Sequence, residues 1–108
     1  MRGSAPSAPL STDLDDPEAV PYFLWDEPMT VAVLRQRLGG ASQAERVRLL
    51  AKVLREARDT DVWRFTTVDA VVSLWPLLSR RLGKRRGFWE FLIDSWRQQG
   101  LAGDSAPR

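Results

Sequence analysis

The chain of 108 residues contains no cysteine and no histidine. Without cysteine it has neither a disulfide framework nor a thiolate metal site. Without histidine it lacks the commonest metal ligand and the commonest general base near neutral pH. Ser, Lys, Asp, Glu and Tyr remain for chemistry, and no arrangement of them marks a reaction centre. There is no phosphate-binding loop, no Rossmann glycine pattern, no zinc spacing and no nucleophile elbow. No run approaches the roughly 20 apolar residues of a membrane span. The opening "MRGSAPSAPLSTDLDDPEAVP" lacks the continuous apolar stretch of a signal peptide. These absences set the expectation of a cytoplasmic, non-enzymatic protein without cofactor or metal.

What is present is unevenly distributed. Residues 1–30 hold six acids (Asp13, Asp15, Asp16, Glu18, Asp26, Glu27) and one base, Arg2, whereas residues 31–108 hold fifteen bases and eight acids. A basic folded region favours anionic partners, and an acidic leader is placed to shield it. Residues 1–20 are rich in Ala, Pro, Ser and Asp and are expected to be a disordered acidic leader. Residues 21–101 form the expected domain, and 102–108 a disordered tail. A unit of that size holds one small core.

The periodicities are helical, and the fold class they predict is all-α, a small bundle of four to five short helices. At the domain's start "YFLWDEP" clusters Tyr22, Phe23, Leu24 and Trp25 before Pro28. It is too short for a stable helix and is expected to anchor on a core or a partner. In "TVAVLRQRLGG", Thr30 caps, Val31, Leu34 and Leu38 share a face, and Gly39 fits a left-handed stop. "SQAERVRLLAKVLREA" opens with Ser42 and Glu45 at the spacing of a capping box. Its stripe of Val47, Leu50, Leu54 and Ala57, widened by Val53, predicts an amphipathic helix over 43–58. Its bases, including Arg48 and Lys52, are expected to fall largely outside the stripe. In "RDTDVWRF", Asp59, Thr60 and Asp61 are turn formers, and the connector should carry Trp63 and Phe65 into the core. "TTVDAVVSLWPLLSRRLG" starts a further helix with Thr66 and Asp69 at capping distance. Pro76 interrupts it, and a restart over 76–82 puts the proline at the favoured first position. The last helix runs over 84–99. Its apolar arc, Phe88, Phe91 and Leu92 beside Trp89, Ile93 and Trp96, is wider than a surface helix needs. The helix is either central or leaves part of its face for a partner.

Five tryptophans in so short a chain is a high count. Each buries on the order of 200 Å² when inside, and Trp and Arg are the residues most enriched at binding hot spots. Trp25, outside the regular helices, is the first candidate for an exposed anchor, with Tyr22 and Phe23 beside it. The second candidate is "RRLGKRRGFWEF", Arg80–Phe91, in which five of the first seven residues are cationic. Arg80 and Arg81 complement the dipole at a helix C-terminus, but Lys84, Arg85 and Arg86 sit at the start of the next helix, where cations are disfavoured. That second cluster predicts an anionic partner or an acidic neighbour. On nucleic acid it would touch phosphate rather than read bases. Phe88, Trp89 and Phe91 follow with the look of core rather than of a base-reading face, which ranks a protein partner above nucleic acid. The candidate contact residues are thus Tyr22, Phe23, Trp25, Arg80, Arg81, Lys84, Arg85, Arg86 and Trp89.

Three stretches, "YFLWDEPMTVAVLRQRL", "RLLAKVLREARDTDVWRFTTVDAV" and "LWPLLSRRLGKRRGFWEFLIDSW", carry a resemblance. Over residues 22–101 the chain resembles small bacterial proteins encoded beside AbiEii-type nucleotidyltransferase toxins. "LLAKVLREA", "DVWRF" and "LGKRRGFWEFL" are its most specific parts. The resemblance implies an antitoxin-like role, in which the protein binds the nucleotidyltransferase and blocks its nucleotide or RNA site. Two routes are open: the basic cluster enters an acidic, metal-binding pocket of the toxin, or the cluster around Trp25 clamps it elsewhere. The larger antitoxins of such systems carry an N-terminal winged-helix domain for which this chain has no room, so operator binding is not expected. The alternative from another class is a small basic nucleic-acid-binding protein.

Overall fold

A computed structural model describes residues 10–99. Residues 1–9 and 100–108 lie outside it, and with them all of the expected tail and nearly half of the expected leader.

The helix Gln43–Glu56, here α2, is the axis of the fold. Ser42 begins it, its hydroxyl accepting from the amide of Glu45 at 3.2 Å. The reciprocal half of the expected capping box is not made, because the Glu45 carboxylate turns to Arg48 instead, with both contacts at 3.1 Å. Leu49, Leu50, Ala51, Lys52, Val53 and Leu54 are all buried. Consecutive buried positions cannot share one stripe of a 3.6-residue helix, so α2 is enclosed on several sides over Leu49–Leu54, while Gln43, Ala44 and Glu56 stay exposed. Its neighbours include the helices Val31–Leu38 (α1), Asp59–Val62 (α3) and Trp75–Leu78 (α5), and the 3-10 turn Gly83–Arg85.

The other elements follow local chemistry with small shifts. Thr30 caps α1, accepting from Val33 at 3.2 Å, but Gly39 has φ −99°, so the stop is not left-handed. Asp59–Val62, expected as a turn, closes one turn of helix. The cap of α4, Val68–Ser73, is Thr67 rather than Thr66; its hydroxyl accepts from Ala70 at 3.2 Å. Pro76 does break the helix there, and α5 restarts with proline in its first turn, where a missing amide costs no helical bond. The chain then tightens into 3-10 turns at Ser79–Arg81 and Gly83–Arg85 before α6, Arg86–Gln98. Gly83, at φ +53°, is the one residue with positive φ among those described; without a Cβ it enters that region at little cost.

The leader is the largest correction. Residues 10–20 are ordered, not disordered. Leu10–Ser11 (β1) pairs in parallel with Val20–Pro21 (β2), and Leu14 and Val20 are buried at 2% and 3% exposure. The carbonyls of Ala19 and Pro17 accept from the amides of Val31 and Ala32 at 2.8 and 3.0 Å. They satisfy donors that the first turn of α1 leaves orphaned. A composition average misses this, because two well-placed apolar side chains and a helix end needing acceptors are enough to hold the segment. With two-residue strands only, and six α-helices among the described residues, the fold is all-α.

Candidate functional site

Three expected contact residues belong to the interior or its seams. Ala57 ends α2 in an extended conformation, which diverts the bonds of the next helical turn. The Arg58 amide donates to the Tyr22 hydroxyl at 2.8 Å, and the Leu54 carbonyl accepts from the Trp89 indole at 2.9 Å. Tyr22 in turn donates to Asp61 at 2.7 Å. Burial, above all, raises its pKa, so it stays a donor. Trp89 is fully buried and Phe23 is 1% exposed, edge-on to Phe65. Neither Phe23 nor Trp89 can touch a partner in this fold, so both are corrected to core residues. Tyr22 is half-buried, with its hydroxyl engaged twice.

Trp25 stands outside, 62% exposed. Its neighbours are held. Leu24 is fully buried on one side. On the other, Asp26 accepts from Lys52 at 2.5 Å, and Glu27 takes a bidentate pair from Arg48 at 2.7 and 2.9 Å. The Arg48 guanidinium holds the Glu27 carboxyl down to about 2 although desolvation opposes it. Lys52, expected on a solvated face, is buried because these carboxylates neutralise it. The indole is therefore presented from a fixed base, which lowers the ordering cost of using it.

Among the described residues no hydrogen bond, ion pair or ring contact joins Tyr22–Trp25 to Arg80–Trp89. Arg80, Arg81, Lys84 and Arg86 are exposed. No ion pair forms at these four or at Arg85 among the described residues; of the N-terminal acids, Asp15, Asp26 and Glu27 engage Arg64, Lys52 and Arg48. Arg85 differs from the rest. Its guanidinium lies 4.8 Å from the Phe88 ring centre and 6.0 Å from that of Trp89. Nε and Nη2 are sealed from water without a hydrogen-bond partner. Ring quadrupoles offset part of that desolvation.

Sequence reasoning missed several surface residues. Trp63, expected in the core, is 37% exposed at a rim, edge-on to Trp89 and Trp96. On α6 only Trp89 and Ile93 are buried, while Phe88 is 39% and Phe91 70% exposed. The wide arc is thus a peripheral helix with an uncovered flank. Between α2 and α5 lies an open groove of about 530 Å³, lined by Gln43, Ala44, Val47, Leu77, Arg80 and Arg81.

Among the described residues no group of three or more acidic side chains is placed to hold a metal ion, and no helix is long and apolar enough to cross a membrane. No family model, curated protein or solved structure matches this chain.

Proposed function

We propose that the chain is a non-catalytic protein-binding module acting as an antitoxin, which neutralises an AbiEii-type nucleotidyltransferase by direct contact. The observation that carries this reading is the set of five cations, Arg80, Arg81, Lys84, Arg85 and Arg86, without an acidic partner among the described residues. One of them, Arg85, lies over the Phe88 ring at 4.8 Å, and Phe88 and Phe91 are themselves uncovered. Unpaired guanidinium groups beside aromatic surface suit the acidic, partly apolar face of a protein. Trp25 supplies a separate, preorganised contact. An acidic catalytic pocket in a nucleotidyltransferase is the complementary target, and occupying it would exclude nucleotide or RNA.

The rival reading, nucleic-acid binding, draws on the same five cations, and ionic strength separates the two. Binding driven by phosphate contacts falls steeply and log-linearly with salt, whereas an interface anchored by Trp25 and the aromatic flank falls less. Co-expression with the nucleotidyltransferase, tested by co-purification and rescue of growth, is the direct experiment. Failure of both in the presence of folded protein removes the antitoxin assignment.

A further inference from the structure

We infer that the groove between α2 and α5 is the docking site for an acidic peptide segment of the protein partner, one that carries an aliphatic side chain flanked by carboxylates. The inference rests on the protein-binding reading above and specifies what the partner must present.

The chemistry of the groove is divided. Its floor is aliphatic: Val47 belongs to the core, Ala44 is exposed, and Leu77 is 39% exposed. Its rim carries Arg80 and Arg81, both exposed and without ion pairs among the described residues. The main chain at the rim is held, because Arg55 donates to the Arg81 carbonyl at 3.0 Å. The two guanidinium groups therefore project from a fixed turn rather than from a loose loop. A volume of about 530 Å³ falls within the usual range of ligand clefts, about 300–1,000 Å³.

Charge complementarity selects the occupant. Guanidinium forks match carboxylates bidentately, and the aliphatic floor gives a Leu, Ile or Met side chain a place to leave water. Nucleic acid fits less well. None of the six lining residues is aromatic, so there is no platform on which a base stacks, and a phosphodiester gains nothing from Val47 or Leu77.

The test uses the full chain, uniformly labelled with nitrogen-15, and three probes: the capped peptide Asp-Leu-Glu-Glu-Leu-Asp, its analogue Asp-Gly-Glu-Glu-Gly-Asp, and a single-stranded RNA 12-mer. Amide shifts at Ala44, Val47, Leu77, Arg80 and Arg81 are followed by two-dimensional NMR. The leucine peptide is expected to shift this set. Ala44→Trp, which fills the groove at an exposed position and keeps both arginines, and Arg80→Glu/Arg81→Glu should each weaken its binding by about tenfold or more. Circular dichroism melts confirm that the variants fold.

Equal shifts from the glycine peptide would overturn the aliphatic part of the proposal. Shifts scattered outside the groove, or stronger and salt-steep binding of the RNA at the same residues, would overturn the whole. The same variants assayed against the nucleotidyltransferase separate the two levels. Intact toxin binding by Ala44→Trp refutes the groove and leaves the antitoxin role standing. Peptide bound in the groove with no toxin binding by the unmodified chain does the reverse.

Discussion

The Trp89 indole donates to the main-chain oxygen of Leu54 at 2.9 Å, so a side chain from α6 closes the C-terminal end of α2 across 35 positions of sequence. Arg58, whose amide would otherwise reach that oxygen in a continued helix, donates to Tyr22 instead. Two side chains thus divide one helical bond between them and tie the N-terminal segment and α6 to the central helix.

Trp89→Phe keeps a large ring but removes the donor and leaves the Leu54 oxygen buried and unpaired. The expected loss is about 1–3 kcal/mol of stability, read as a lower urea midpoint at unchanged slope. An unchanged midpoint would mean that water replaces the indole at this position.

Tyr22→Phe removes the hydroxyl that bridges the Arg58 amide and Asp61. A loss of about 1–2 kcal/mol is expected, with partner affinity unaltered once the variant is fully folded. An affinity loss larger than the stability loss would restore Tyr22 to the contact surface.

The Glu27–Arg48 pair makes stability depend on acid. The Glu27 carboxyl is held at about 2 in the folded chain against an ordinary 4.5. Its folded pKa lies below its unfolded one, so the unfolded state binds more protons in this interval. The stabilisation is complete above the ordinary value and is lost as pH falls from about 4.5 toward about 2. Asp26 and Glu45 are lowered as well, chiefly by hydrogen bonds from Lys52 and Arg48. The melting temperature should drop through this window, and Glu27→Gln should melt lower at pH 7 with a shallower acid limb. Parallel acid limbs for the two proteins would exclude Glu27 as the titrating group.

Trp25→Ala should leave stability within about 0.5 kcal/mol, because the indole is mostly outside. Binding to the proposed nucleotidyltransferase partner should weaken by about 2 kcal/mol or more, the loss typical of a tryptophan hot spot. A variant that melts early yet binds normally would make Trp25 part of the fold and not of the interface.

Features governed by neighbours in sequence were legible: the caps at Thr30 and Ser42, the break at Gly83 and the restart at Pro76 all follow from residues a few positions apart. Features set by distant partners were not. Lys52 looks like a solvated cation until Asp26, 26 positions earlier, is placed against it. Trp89 looks available for binding until Leu54 claims its indole. The apolar arc of α6 reads the same for a central helix as for a peripheral one with an open flank, and only packing separates the two. Leu14 and Val20 were hidden within a polar, proline-bearing composition. At the candidate surface, the exposure of Trp25 and the cationic character of Arg80–Arg86 were readable. The groove floor at Ala44 and Leu77 was not, because it forms only when α5 lies against α2.

The central proposal is that Trp25 and, separately, the unpaired cations contact an acidic protein partner. Calorimetric titration of the nucleotidyltransferase with the unmodified chain, Trp25→Ala and Lys84→Glu/Arg86→Glu tests it most directly. The account predicts saturable binding by the unmodified chain, with affinity reduced by about tenfold or more in each variant. Equal affinity for all three proteins, or no heat with the enzyme alongside tight, salt-sensitive binding of RNA, would contradict it.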